Sequence, residues 1–338
     1  MKTIGVLTSG GDSQGMNAAV RSIVRTALNE GFKVMGIDHG YNGLIHKEIE
    51  ELDYTSVSNT LSTGGTFLKT ARCLEFKEEA GVIKAVETCK EYGIEGIVVM
   101  GGDGSFRGAR DLTLHGIPCV AVPCTIDNDI VCSDYTIGFD TATNICVDLI
   151  DKLRDTCESH NRCSVVQIMG KNAGWVTLEA AIASGATSIV VPEIEFNFER
   201  DIIERFKRGM KYGKTSFIVA VSEGVFFDVK SNKNYEYMQK IGIKNATDFA
   251  RRVEETTGVE SRETILGHVQ RGGTPTAKDR IMATEMGNYA VGLLKNGISN
   301  RVVVFKDNKI TDFDILEALQ MEKPFDLKKL EMANKINI

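Results

Sequence analysis

Asp127 and Asp129 stand two residues apart in Thr125-Ile126-Asp127-Asn128-Asp129, just after an apolar run, Cys119–Pro123. If the backbone there is extended, side chains at that spacing share one face. Two carboxylates beside bound phosphates have separate uses. One holds Mg²⁺ directly or through water, and the other accepts a proton from an attacking hydroxyl. The same residues can also form an Asx turn with capping carboxylates. A second source of chemistry is Gly-Gly-Asp, which follows an apolar run at 10–12 and again at 101–103. Glycines at the carboxyl end of a parallel strand let phosphate oxygens approach the backbone. The helix N-terminus that follows supplies N–H donors and a positive dipole. An aspartate in such a turn repels phosphate unless it holds a cation, so Asp103 reads as a Mg²⁺ ligand or, equally, as a helix N-cap. The chain has neither Gly-x-x-x-x-Gly-Lys-[Ser/Thr] nor Gly-x-Gly-x-x-Gly, so these turns are not a P-loop or a dinucleotide fingerprint.

Cations follow. Arg154, Arg162, Lys171, Arg262 and Arg271 fall in or beside strand ends and glycine turns. His268 and Arg271 are three apart in Gly267-His268-Val269-Gln270-Arg271-Gly272-Gly273. Arginine suits two-point recognition of phosphate. Each arginine alone also reads as a solvated surface residue, and His268 as a core histidine.

Positioning such groups takes strands that end where the glycines begin. Short β-rich runs alternate with helix-length periodic segments, which predicts parallel sheets covered by helices. The strands expected are Ile4–Leu7, Lys33–Asp38, Ile97–Met100, Cys119–Pro123, Ser164–Met169, Ser188–Val191, Phe217–Val221 and, as the last, Val302–Phe305. Helices are expected over Asn17–Glu30, Val82–Tyr92, Thr141–Cys157, Trp175–Ala183, Arg200–Tyr212 and Ala277–Asn296. The polar, poorly patterned stretch 226–244 reads as a surface insertion.

A chain of 338 residues suits two α/β domains, crossed more than once because no polar linker separates the halves. A net charge of −6 gives no electrostatic reason to hold nucleic acid. The eight cysteines lie between Cys73 and Cys163 without a Cys-x-x-Cys or nearby histidine cluster, which argues against zinc and for reduced thiols of a cytoplasmic protein. Met1–Leu7 is too short an apolar start for a signal peptide or membrane span.

Gly5–Asp12, Gly101–Ser105, Thr125–Asp129, Met169-Gly170 and Leu266–Gly273, in that order, resemble the phosphofructokinase family over nearly the whole chain. The resemblance implies two Rossmann-like three-layer α/β/α domains with mostly parallel sheets and an active site in the cleft between them. A larger nucleotide-binding domain would take residues 1–138 and about 270–320. A smaller sugar-phosphate domain would take 139–269 and about 321–338. It implies a homotetramer that transfers the γ-phosphoryl of ATP to the 1-hydroxyl of fructose 6-phosphate. Gly11, Tyr41, Arg72, Cys73, Gly102, Asp103, Gly104, Ser105 and Gly108 would line the nucleotide site. Asp103, with Asp129, would hold Mg²⁺. Asp127 would be the general base, with Thr125, Arg72 and Lys171 assisting at the phosphoryl group. Met169, Gly170, Lys171, Glu223, His268 and Arg271 would bind fructose 6-phosphate, joined by Arg162 and Arg262 from a neighbouring subunit.

The chain departs from the pattern at several positions. Cys124 stands where ATP users of the family carry Gly and pyrophosphate users Lys, and it resembles the ATP case. Gly104, where pyrophosphate users carry Asp, points the same way. Ala173-Gly174-Trp175 and Lys171, which replaces an Arg, point toward pyrophosphate users. The other readings are a kinase for another phosphosugar, a kinase of the NAD or lipid type sharing Gly-Gly-Asp-Gly, and a regulatory subunit on the same fold. Arg21, Arg25, Arg154 and Lys214 match the cations of an effector site between subunits for ADP or phosphoenolpyruvate. Tyr54, Asn59 and Thr187 depart from that site's Arg, Asp and acidic residues, so effector control is expected to be weak or altered.

Overall fold

The structure, a computed structural model, describes residues 1–337. The chain forms two compact units. The first comprises Met1–Ile126, Ile130–Thr141 and Arg271–Lys323; the second comprises Asp127–Asp129, Ala142–Gln270 and the chain from Pro324 on.

The first unit opens with β1 (Thr3–Thr8), α1 (Met16–Asn29), β2 (Lys33–Ile37), α2 (Tyr41–His46) and β3 (Ile49–Leu52). It continues through α3 (Glu79–Glu91), β4 (Gly96–Gly101), α4 (Asp103–Leu114) and β5 (Cys119–Pro123). Helix α5 (Phe139–His160) carries the chain into the second unit, with β6 (Cys163–Ile168), α6 (Trp175–Ala183), β7 (Ser188–Val190) and α7 (Glu204–Lys211). There follow β8 (Phe217–Ser222), α8 (Tyr235–Lys240), α9 (Ala246–Thr257) and β9 (Ser261–Ile265). The chain returns as α10 (Ala277–Lys295), β10 (Arg301–Lys306), β11 (Lys309–Asp314) and α11 (Ile315–Ala318), and ends with α12 (Leu327–Ile336) in the second unit.

The first unit's sheet has seven strands in the order β11-β10-β5-β4-β1-β2-β3, parallel except for the two edge pairs. Alternate residues serve opposite faces. Val98 and Met100 of β4 join the core under α1 and α10, while Ile97 and Val99 join the core under α2, α3 and α4. Burial on both faces explains why these strands read as unbroken apolar runs. The second unit's sheet is parallel, in the order β7-β8-β6-β9. Its core gathers Phe196, Phe198, Phe206, Phe217 and Phe249.

The structure corrects three readings. Val302–Phe305 is not the last strand, because β11, Lys-Ile-Thr-Asp-Phe-Asp, turns back antiparallel to it. Helical structure over Arg200–Tyr212 starts as a π-helical turn, Glu199–Ile203, before α7. The stretch 226–244 is largely at the surface, with Phe227, Asp228, Lys230, Ser231, Lys233, Glu236, Lys240, Gly242 and Lys244 exposed, but it is anchored from within by Asn234, Met238 and Ile243. Met238 and Ile243 are fully buried in the phenylalanine core. Asn234 donates to the Val191 and Ile194 carbonyls and accepts from Phe196 N–H, which makes this polar segment part of the fold. No helix among the described residues is long and apolar enough to cross a membrane.

Candidate active site

In the first unit both glycine turns occur at the carboxyl ends of neighbouring parallel strands, β1 and β4. Gly10 has φ 88°, which favours glycine. At Gly11 a Cβ would lie 2.5 Å from Arg271 Nη2. That guanidinium donates to the Asp12 carbonyl and pairs with Asp12 Oδ1 at 3.3 Å, so the chain itself accounts for Gly11. Gly102 and Gly104 are different. Neither takes a left-handed φ, and a Cβ on either would meet no heavy atom within 4 Å. Neither packing nor conformation requires glycine there, at the N-terminus of the twelve-residue α4. An anion approaching the N–H groups would.

Asp103 is the first residue of α4, and the N-cap is Gly102, which overturns the capping reading. Its carboxylate is exposed, 3.1 Å from Arg107 Nε one turn on. Ser105 donates to the Ser9 carbonyl at 3.2 Å and so ties the two glycine turns together. Tyr41 supports this loop from behind. Its ring is buried against Phe76, centroids 4.1 Å apart, and its hydroxyl donates to the Ser105 carbonyl at 2.6 Å. Gly108 leaves room for that ring, since a Cβ would come 2.5 Å from Tyr41 Cζ. Arg72 is exposed, and the neighbouring Cys73 is half-buried with its thiol pKa raised by burial.

The Thr125–Asp129 segment is not extended. The chain turns at Ile126 and Asp127, and Asn128, buried, takes φ 50°. The shared-face argument for the two carboxylates therefore fails: a left-handed residue between them reverses the backbone. Ile126 is fully buried and anchors the turn, leaving Thr125, Asp127 and Asp129 half-buried around it. Cys124 donates its N–H to the Gly101 carbonyl at 2.9 Å and bridges Ile137. Its thiol, 1% exposed, faces the core with Tyr135 and Ile137, and burial pushes its pKa up. Thr136 Oγ1 donates to the Thr125 carbonyl at 2.7 Å.

In the second unit, Met169, Gly170 and Lys171 follow the carboxyl end of β6. Glu223 Oε1 accepts the N–H of Lys171 at 2.7 Å and of Gly170 at 3.2 Å. Gln270 holds Met169 from the other side, accepting its N–H at 2.9 Å and donating to its carbonyl at 3.2 Å. Gln270 was invisible as a site residue in the sequence because its side chain serves the backbone; its place between His268 and Arg271 was the available signal. Lys171 is exposed in a left-handed conformation, φ 55°, and His268 is exposed on a 3₁₀ turn, Gly267–Arg271.

Arg162 and Arg262 are not part of this group. Both pair with Glu260, at 2.8 and 2.9 Å, and lower its carboxyl pKa. Arg162 precedes β6 and Met169 follows it, so the strand separates them by roughly 20 Å. The remaining cations form two sets. Arg21 and Arg25 lie one turn apart on α1, each with a buried Nε lacking a hydrogen-bond partner among the described residues, and burial and then Arg25 lower the Arg21 pKa. In the second unit Arg154 donates to the Ser184 carbonyl, and Lys214 is 3.2 Å from Thr187 Oγ1. Among the described residues there is no cluster of three or more His, Cys, Asp or Glu fit to hold a metal unaided. The eight cysteines are free thiols.

Residues 3–294 match the phosphofructokinase family. The chain is 50% identical over 333 residues to an ATP-dependent 6-phosphofructokinase of Clostridium botulinum, covering 98% of each chain. It is 48% identical over 338 residues to one of Bacillus cytotoxicus, covering 100% of each. Among solved structures, phosphofructokinase from Saccharomyces cerevisiae superposes with TM-score 0.85 at 32% identity over 95% of this chain, which spans 45% of that longer one. A pyrophosphate-dependent phosphofructokinase from Marinobacter aquaeolei shares the fold, with TM-score 0.81 at 20% identity over 98% of this chain and 91% of that one.

Proposed function

Because the chain belongs to the phosphofructokinase family, we propose that it is a 6-phosphofructokinase, transferring the γ-phosphoryl of ATP to the 1-hydroxyl of fructose 6-phosphate. The observation that carries this reading is the open space over Gly102 and Gly104 at the α4 N-terminus. There the backbone N–H groups and helix dipole receive the phosphates of the nucleotide. Asp127 accepts the proton of the 1-hydroxyl as it attacks, with Thr125 beside the transferring group. Arg72 and Lys171 offset developing charge. Met169, Gly170, Glu223, His268 and Arg271 orient the sugar phosphate.

Asp103 fits Mg²⁺, with Asp129 as the second carboxylate that the family resemblance implies. This ion binds through one or two carboxylates plus substrate phosphates and needs no protein cage, and Asp103 presents an exposed carboxylate at the helix start where phosphates would arrive. When bound, the ion would supply the positive charge that offsets repulsion among the phosphate oxygens. Arg162 and Arg262, roughly a strand's length from Met169 in their own unit, serve a neighbouring copy in a homotetramer. An acidic chain carrying free thiols fits a cytoplasmic enzyme without nucleic-acid or membrane partners.

The test compares initial rates on fructose 6-phosphate with ATP, GTP and pyrophosphate, in wild type and Asp127→Ser. ATP should be the preferred donor. The variant should lose about 10²- to 10⁴-fold in turnover while still binding fructose 6-phosphate. Pyrophosphate supporting the faster rate, or turnover surviving in Asp127→Ser, would overturn the reading.

A further inference from the structure

Asp279 is the third residue of α10 and fully buried. An aspartate at that position usually faces solvent and favours the helix dipole. Here Thr276 already caps α10, accepting Asp279 N–H at 3.3 Å, and the Asp279 carboxylate turns to the 135–141 segment instead. It accepts from Tyr135 hydroxyl at 2.5 Å and Gly138 N–H at 2.7 Å on Oδ1. On Oδ2 it accepts from Thr141 N–H at 2.8 Å and Thr141 hydroxyl at 2.5 Å. Four neutral donors on one buried carboxylate form an expensive arrangement, because desolvation disfavours the charge they stabilise. A tie between a helix and a loop could be made with apolar packing at less cost.

The segment so held is the one that supports the proposed catalytic turn. Ile137 donates its N–H to the Pro123 carbonyl at 3.0 Å and bridges Cys124, while Ser13 of the first glycine turn donates to the Ile137 carbonyl at 3.0 Å. Thr136, flanked by the clamped Tyr135 and Gly138, donates to the Thr125 carbonyl at 2.7 Å. The crowding leaves little slack. A Cβ at Gly15 would come 2.7 Å from Ile137 and 3.5 Å from Asp279, and one at Gly138 would come 2.6 Å from Ser13.

We propose that Asp279 is a positioning residue for phosphoryl transfer, its carboxylate fixing Tyr135 and Gly138 so that Thr136 holds Thr125, and thereby Asp127, in register. The inference rests on the phosphofructokinase reading only for the identity of the reaction. Asp279 is fully buried, out of reach of a substrate at the surface, so its effect falls on the chemical step more than on binding.

Asp279→Asn keeps the shape but turns an NH₂ against an N–H donor. It should lower kcat about 10-fold, with both KM values within about 2-fold of wild type. Thr136→Val should lower kcat similarly, Thr136→Ser should restore it, and the double variant Asp279→Asn/Thr136→Val should be no worse than the weaker single variant. Hydrogen exchange of the Thr125–Asp129 amides should accelerate several-fold in Asp279→Asn, a readout that needs no turnover. Should Asp279→Asn not fold, Tyr135→Phe removes one donor of the same carboxylate and is read in the same way. A lower melting temperature with unchanged kcat and unchanged exchange at Thr125–Asp129 would make Asp279 merely structural. Multiplicative losses in the double variant would break the route through Thr136. Wild-type inactivity toward fructose 6-phosphate would sink the enzyme reading alone, and the exchange measurement would still decide the clamp.

Discussion

Gly104 is the second residue of α4, and in the folded chain nothing demands a glycine at that point. Alanine in a helix is favoured over glycine by about 0.5–1 kcal/mol, and a first-turn position takes the lower end of that range. For a unit of this size, about 0.5 kcal/mol raises the melting temperature by roughly 1–2 °C. If nucleotide phosphates rest on the α4 N-terminus, the added methyl occupies their approach. One charge-assisted N–H bond lost or lengthened costs about 1.5–3 kcal/mol, which is roughly a 10- to 150-fold rise in KM for ATP. Gly104→Ala should therefore stabilise the protein while it weakens ATP use, with KM for fructose 6-phosphate within about 2-fold of wild type. Thermal melts without nucleotide and initial rates against ATP measure the two effects on one preparation. A raised melting temperature with an unchanged KM for ATP would refute the placement of phosphates over α4. A fall in melting temperature would refute the claim that the chain itself has no use for glycine there.

Glu223→Ala removes the acceptor of the Gly170 and Lys171 amides and should raise KM for fructose 6-phosphate by about 10-fold or more, leaving KM for ATP nearly unchanged; equal effects on both would place Glu223 in general stability instead. Activation by MgADP at sub-saturating fructose 6-phosphate should stay below about 2-fold, because Thr187 offers Lys214 a hydroxyl and no carboxylate, so the effector site that the resemblance implies would lack its acidic partner for a magnesium nucleotide. Clear several-fold activation would count against that account.

What the sequence disclosed depended on where a residue's partners lie. Central strands such as Ile97–Met100 and Cys119–Pro123 carried their apolar signal intact because both faces are covered. β3, β9 and β11 did not, being edge strands whose apolar residues are interrupted by exposed or half-exposed charged and polar ones. The glycine turns were legible because glycine after a buried strand narrows the possibilities to few. The shape of Thr125–Asp129 was not, since Asn128 adopts φ 50° in a segment held by Thr136 and Ile137. Gln270 and Asp279 escaped for the same reason. Their side chains serve backbone groups more than 100 residues distant, and nothing local marks them.

The choice between ATP and pyrophosphate falls on two positions of opposite character. Cys124 is in the core, its chain pinned on one side by Gly101 and on the other by Ile137, so its thiol cannot contact a phosphate. A lysine there would have to carry its ammonium out past Ile137, because a buried unpaired charge is too costly. Cysteine at 124 thus acts by supplying no cation and by filling the space under the turn. Gly104 is open, and a carboxylate at that position would set a negative charge where, on the proposed reading, a nucleotide's additional phosphate would pass. A shorter donor with its charge concentrated at the glycine turn would tolerate that carboxylate better. Room at 104 together with neutrality at 124 therefore favours the longer donor, and the Asp279 clamp belongs to the same argument, because the register it imposes on Ile137 is what keeps Cys124 turned inward.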